Sequence, residues 1–99
     1  MNSPALSNAI VVYTGWHRAP IPARDDARVV EEFGEEEALD LLPRVHALEN
    51  DFYRSEARRL ARDIQRMGDQ AADEFRKRHP EVSEDAIQAL AWCYTYDYK

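Results

Sequence analysis

The sequence from Gly34 to Phe52 reads GEEEALDLLPRVHALENDF. Its apolar residues recur at steps of three or four, a spacing that places their side chains on one face of an α-helix. The members of this stripe are Ala38, Leu41, Val45, Leu48 and Phe52. The three glutamates at the start favour a first helical turn, because carboxylates interact favourably with the amino-terminal end of a helix dipole. The stretch therefore predicts a helix and indicates a mainly α fold.

Helical spacing continues beyond Phe52, but the apolar face is displaced by one residue. The second stripe consists of Tyr53, Ala57, Leu60, Ile64, Met67 and Ala71. The two stripes predict a long helical segment over residues 35–79, which ends before Pro80 because a residue preceding proline disfavours the α conformation. A single helix of that length does not fit a compact domain, so we expect it to be kinked or broken near 43, 53 or 68, where a proline, the phase change and a glycine lie. An unbroken helix would instead indicate a dimer with a helical seam.

The first third of the chain has a different pattern. Residues 1–8 are expected to be a flexible amino terminus, followed by a strand and loop segment over residues 9–33. Residues 9–14 and 28–33 are rich in β-branched side chains, which favour strands. We expect these two strands to pair as a short β-ribbon.

The region between the predicted strands indicates a loop, because Pro20 and Pro22 fix φ and remove backbone donors. The alternative to a second strand is a short helix within residues 24–33. Asp25 or Asp26 would begin that helix, since aspartate is a favoured N-cap residue.

The last element is predicted as a helix over residues 83–96. Ser83 is a good N-cap, and Glu84 and Asp85 fit the first turn. Residues 94–98 alternate as a strand would, but no glycine or proline separates them from the helix, so we favour a helix that frays into an ordered tail.

Length and composition predict a single small domain. The chain has 99 residues and a mass of 11.5 kDa, and 44% of its residues are apolar. The expected fold is mainly α, a small α+β domain over residues 1–99, in which the short β-ribbon or an extended segment packs on three helices. One of these helices is long and kinked or broken.

The net charge and the cysteine count narrow the classes of partner and cofactor. The chain carries 13 basic and 19 acidic residues, with a net charge of −6, which disfavours bulk attraction to nucleic acid or an anionic membrane. One cysteine excludes an intrachain disulfide framework. The amino terminus lacks the pattern of a signal peptide, and the apolar runs are too short for a membrane helix. We expect a cytoplasmic protein that contacts no membrane.

Acidic residues are concentrated in one block. Residues 31–51 hold eight carboxylates and one arginine. The acidic surface predicted from this block consists of Glu31, Glu32, Glu35, Glu36, Glu37 and Asp40. We favour an ordinary solvated helix start here, and the alternative is a surface that recognises a basic ligand.

A basic block follows. Arg54, Arg58, Arg62 and Arg66 are four residues apart and would form one ridge on a continuous helix. The functional interpretation is a contact with an acidic protein face, a phosphate or a nucleic-acid backbone. We favour the alternative of a solvated face with local ion pairs.

Aromatic side chains supply the other candidate contacts. Trp16, His17 and Arg18 lie in the predicted loop, and tryptophan and arginine are common anchors of protein interfaces. The alternative is that Trp16 folds back onto the core. Trp92 and Tyr96 fall on the side of the last helix opposite the predicted core face, so they are either interface residues or buried by a second neighbour.

The sequence gives no support for catalytic or metal chemistry. His46 and Glu49 are three residues apart, but no second pair of ligands accompanies them, so we predict no metal site and no cofactor. Cys93 lies between Trp92 and Tyr94 and is expected to be a buried, inert thiol. No catalytic residue is assigned.

The favoured function is a small acidic intracellular protein–protein interaction module without catalytic activity. An inhibitor or immunity-like protein, a phage counter-defence factor, an adaptor or an assembly subunit would fit, with another protein or a second copy as the partner. The alternative is a small enzyme or ligand-binding subunit in a homo-oligomer, with a site near His17 and Arg18 or near Cys93. A weaker alternative is nucleic-acid binding through the four arginines. No motif of the chain matches a known family.

Overall fold

The structure is a computed structural model that describes residues 4–99. Within this part of the chain there are six helices and no strand. The helices are α1 (Pro4–Thr14), α2 (Asp26–Phe33), α3 (Glu35–Phe52), α4 (Ala57–Leu60), α5 (Ile64–Arg78) and α6 (Glu84–Tyr98). The mainly helical fold class is confirmed.

The predicted β-ribbon is wrong. Residues 9–14 lie in α1 and residues 28–33 lie in α2. The β-branched run of α1 reflects burial rather than strand pairing, since α1 packs against α2, α3 and α6 and buries Ile10 and Val12 among them. A short apolar run of this kind has no periodicity that separates a buried helix from a buried strand.

The flexible amino terminus is also wrong for residues 4–8, which begin α1; residues 1–3 lie outside the described residues. A hydrogen bond joins α1 to the start of α6. The buried hydroxyl of Ser7 accepts a hydrogen bond of 3.0 Å from the backbone N–H of Ser83, the N-cap of α6.

The short helix considered as an alternative is present as α2. The Asp25 side chain accepts a hydrogen bond of 2.9 Å from the N–H of Ala27, which satisfies one of the free donors at a helix start. Gly34 follows α2 with φ 88° and donates to the carbonyl of Val30. This left-handed conformation favours glycine and directs the chain into α3.

The helix α3 continues through Pro43, so no break occurs at this proline. Pro43 has no N–H to offer the carbonyl of Leu39 four residues earlier. Both residues are exposed, so water can hydrogen-bond to that carbonyl. The buried residues Leu41 and Val45 flank the proline and hold the helix against the core.

The long helical segment breaks after Phe52, near the change of phase in the apolar pattern. α3 ends there, α4 is a single turn, and α5 begins only at Ile64. Asp63 starts α5 by accepting a hydrogen bond of 2.8 Å from the N–H of Arg66. The second apolar stripe is therefore not one face, and two of its members are exposed, Leu60 by 70% and Ile64 by 49%.

The core forms around α6, which packs against α1 on one side and α5 on the other. Phe52 of α3 lies between Phe75 of α5 and Tyr94 of α6, with ring centroids 5.2 and 5.6 Å apart. The Cα radius of gyration is 13.0 Å, the size expected for one compact domain of this length. None of the helices within residues 4–99 combines the length and apolar character needed to cross a bilayer.

Gly68 is not a helix break, because it lies inside α5 at a close approach to α6. A Cβ at this position would lie 2.9 Å from Cγ2 of Thr95. The Thr95 side chain is fixed by hydrogen bonds from its hydroxyl to the carbonyls of Ala91 and Trp92. The glycine therefore permits the two helices to pack closely.

Gly68→Ala is expected to lower the free energy of unfolding by about 1 kcal/mol, because steric overlap outweighs the helix propensity gained. Urea denaturation measures this change. Adding Thr95→Ser removes the methyl group that Cβ would meet and should restore most of the loss. A Gly68→Ala variant as stable as the wild type would contradict the close approach.

Candidate functional site

A groove between α5 and α6 brings both tryptophans of the chain to the surface. Its volume is about 200 Å³. We call it the tryptophan groove, and its main lining residues are Trp16, Ile64, Gly68, Ala91, Trp92 and Thr95. The two indole rings are tilted by 58° with centroids 5.2 Å apart. The groove thus joins the loop after α1 to the two helices that pack most extensively on one another.

Trp16 is placed by the loop that begins at Gly15. Gly15 has φ 82°, and a Cβ there would lie 2.5 Å from a guanidinium nitrogen of Arg28, so the turn requires glycine. Trp16 packs on the core and is partly buried. Its indole Nε1 is buried and makes no hydrogen bond within residues 4–99, which leaves a donor unsatisfied.

His17 and Arg18 lie beside Trp16 but outside the groove. The exposed His17 has φ 69°, and its ring centroid lies 4.6 Å from that of Trp16. Arg18 forms an ion pair of 3.1 Å with Glu32 of α2. The three predicted loop residues therefore have different positions. Trp16 lines the groove, the His17 ring packs against Trp16, and Arg18 pairs with Glu32 of α2.

Trp92 and Tyr96 occupy one side of α6, and only the first reaches the groove. Trp92 is partly buried against Trp16. Tyr96 is exposed, and the ammonium of Lys99 lies 4.3 Å from its ring centroid. α6 continues to Tyr98, two residues beyond the predicted end.

The four arginines do not form one ridge. The chain between α3 and α5 is not a continuous helix, so the spacing of four residues no longer places them on one face. Arg54 lies in the turn after α3, Arg58 in α4, Arg62 in the bend before α5, and Arg66 in its first turn. Arg58 donates hydrogen bonds to the carbonyls of Tyr53 and Ser55 and therefore has a structural role.

The predicted acidic residues do lie together, at the junction of α2 and α3. All six are exposed, and they are Glu31, Glu32, Glu35, Glu36, Glu37 and Asp40. Glu32 forms the ion pair with Arg18. The other five make no ion pair within the described part of the chain, and Leu39 is 78% exposed among them.

Sequence reasoning missed a polar cluster on the opposite side of α6. We call it the Arg24 cluster, and it contains Tyr13, Arg24, Glu49, Tyr53 and Asp97. Arg24 donates to the Tyr53 hydroxyl at 2.7 Å and to the Asp97 carboxylate at 2.8 Å, and its Nε lies 3.5 Å from Glu49. These residues come from distant parts of the chain, so no spacing in the sequence indicated the cluster.

The protonation states in this cluster follow from burial and charge. Burial acts to raise the pKa of Asp97, but hydrogen bonds from Arg24 and Tyr53 outweigh it, and the pKa of Asp97 is lowered. Burial, together with the hydrogen bond to Asp97, raises the pKa of Tyr53. Burial raises the pKa of the adjacent Cys93 to about 12. A thiol protonated at neutral pH is a poor nucleophile, which disfavours catalysis by Cys93.

His46 and His79 each contact an aspartate, and His46 does not pair with Glu49. His46 contacts Asp26 at 2.9 Å, whereas Glu49 accepts a hydrogen bond of 3.0 Å from Tyr13. His79 contacts Asp51 at 2.8 Å and joins the start of the α5–α6 connection to the end of α3. Among residues 4–99, no group of three or more histidine, cysteine, aspartate or glutamate side chains has the arrangement of a metal site.

Comparison with known proteins gives no relative: no family model, curated protein or solved structure matches the chain. The candidate site therefore rests on its own geometry.

Proposed function

We propose that the protein is a small cytoplasmic protein-binding module whose contact surface is the tryptophan groove. The observation that carries this proposal is the pairing of Trp16 and Trp92 beside the half-exposed Ile64 in a surface groove. Tryptophan is enriched among the residues that dominate binding energy at protein interfaces, since it combines a large apolar area with a polar donor.

The unsatisfied indole of Trp16 adds support. A buried donor without an acceptor destabilises the free protein by roughly 1–3 kcal/mol. A partner that supplied a carbonyl oxygen while the indole rotated would remove this cost on binding. Gln65 and Gln88 border the groove and offer further hydrogen bonds, which suits a mixed apolar and polar contact.

Ile64→Asp is expected to abolish capture of the partner protein, because it places a carboxylate in the apolar part of the groove. Affinity capture of the tagged chain from native cells, followed by quantitative mass spectrometry, measures this. Ile21→Asp is the matched control, since Ile21 has a similar exposure of 52% and does not line the groove. We expect one protein to be lost only with Ile64→Asp.

Binding at this surface should also change the intrinsic fluorescence, because both tryptophans of the chain line the groove. Titration of the captured protein into the purified chain gives this readout. An unchanged emission spectrum at saturating partner, or equal capture by the two aspartate variants, would place the interface elsewhere.

A further inference from the structure

Two exposed leucines lie in surroundings of opposite charge. Leu39 is 78% exposed and lies among the carboxylates of the α2–α3 junction. We call Leu39 with Glu35, Glu36 and Asp40 the acidic end. Leu60 is 70% exposed and has arginines as sequence neighbours at the α4–α5 junction. We call Leu60 with Arg59, Arg62 and Arg66 the basic end.

The charges of both ends are incompletely neutralised within the chain. The three carboxylates of the acidic end have no ion-pair partner among residues 4–99, and neither does Arg62. Arg66 lies 3.7 Å from Asp63, with both side chains more than half exposed. Among the described residues of the two ends, only Arg59 has a close ion pair, to Glu56 at 2.8 Å.

Helix electrostatics accounts for only part of this charge pattern. Glu35 and Glu36 lie in the first turn of α3, where the positive end of the helix dipole favours carboxylates. Glu31 and Glu32 extend the acidic surface into the last turn of α2, where the negative end of the helix dipole disfavours carboxylates. Arg66 lies in the first turn of α5, where the positive end disfavours cations. The placement of Glu31 and Arg66 is therefore unfavourable for the isolated helices, and opposite charges on a partner would offset that cost.

No ion pair joins the two ends within residues 4–99. Leu39 is near the start of α3, and Leu60 follows its end. The helical residues from Leu39 to Phe52 alone extend over about 20 Å along the axis of α3. A second copy can supply the complementary surface.

We infer that the acidic end of one copy binds the basic end of a second copy, with the two leucines packed in the contact. The two surfaces differ, so the association is head-to-tail and leaves one free end on each terminal copy. A contact made by a few exposed side chains is weak and transient, and its charge pairs weaken as salt screens them. This association is separate from the tryptophan groove and does not rest on it.

Sedimentation velocity of the full chain and of two variants tests this inference. Leu39→Lys with Glu36→Lys alters only the acidic end, and Leu60→Glu with Arg62→Glu alters only the basic end. We expect the average mass of the wild type to rise with concentration past twice 11.5 kDa and to fall when salt is added. Each variant alone should remain at the monomer mass.

The mixture of the two variants is decisive. Each retains one intact end, so an equimolar mixture should form a 1:1 complex and nothing larger. Lys77→Glu, an exposed change of charge on α5 outside both ends, should associate as the wild type does. Circular dichroism verifies that all variants are folded. A monomeric wild type at millimolar concentration, a monomeric mixture, or self-association of either variant alone would overturn the inference.

Discussion

Replacing Tyr94 with alanine is expected to lower the free energy of unfolding by about 4 kcal/mol, the range of large aromatic truncations in a core. Tyr94 is fully buried, and its ring contacts Phe52, Tyr53 and Tyr98 at centroid distances of 5.0–5.6 Å. Its removal leaves a cavity where α3 ends against α6. A domain of this size has a total stability of roughly 5–15 kcal/mol, so the variant loses a large fraction of it.

Tyr94→Phe separates the contribution of packing from that of hydrogen bonding. The hydroxyl of Tyr94 donates to the carbonyl of Ser55 at 2.7 Å and accepts from the N–H of Arg58 at 3.1 Å. Phenylalanine keeps the ring but leaves both backbone groups without this partner, which costs about 1–2 kcal/mol. Urea denaturation followed by circular dichroism measures both variants. Equal losses would contradict the assignment of most of the effect to packing.

Replacing Arg24 with glutamine is expected to lower the free energy of unfolding by about 2 kcal/mol at neutral pH, the scale of hydrogen bonds to charged groups. Arg24 hydrogen-bonds to Asp97 and Tyr53 and lies near Glu49. Its loss weakens the attachment of the loop to α3 and α6 and leaves two carboxylates without a cation between them.

The effect of Arg24→Gln should depend on pH. The pKa of Asp97 in the folded state is below its ordinary value of 3.8, because hydrogen bonds from Arg24 and Tyr53 outweigh the effect of burial. A lowered folded-state pKa stabilises the fold above the unfolded value, and this stabilisation is lost as pH falls through the folded value. Arg24→Gln lacks part of this stabilisation already at neutral pH. The difference in the free energy of unfolding between the variant and the wild type should therefore shrink below about pH 4.

Urea denaturation at neutral pH and at about pH 3 measures this difference in the range where carboxylates titrate. Arg44→Gln is the control, since Arg44 is exposed and has no ion-pair partner within residues 4–99. We expect no change for Arg44→Gln at either pH. A difference between Arg24→Gln and wild type that is independent of pH would show that Arg24 does not act through Asp97.

The candidate site was predictable only in part. Trp16 and Trp92 were identified from residue type, since few other side chains provide as much binding area. The position of Ile64 in the same groove was not predicted, because the apolar pattern assigned Ile64 to the buried face of a long helix. The Arg24 cluster had no sequence signal, since Arg24 and Asp97 are 73 positions apart.

Because the helix ends at Phe52, the four arginines of the basic block do not form the single face that their spacing predicted. On one helix the arginines at positions 54, 58, 62 and 66 would share a face. In the fold they lie in four different local structures. Arg58 is bound to backbone carbonyls, and Arg62 makes no ion pair within residues 4–99. The acidic residues remain neighbours in the fold, because those of α3 lie within two helical turns and α2 ends next to them. Their role as a binding surface stays a prediction.

The sequence by itself determined the helical class after Gly34, the cap at Ser83 and the acidic block, because these depend on neighbours within a few residues. Tertiary structure decided the rest. Burial on several sides made α1 a helix despite its β-branched residues, and close packing on Thr95 retained Gly68 inside α5. Such outcomes depend on contacts between residues far apart in the chain, whose free energies exceed local propensities.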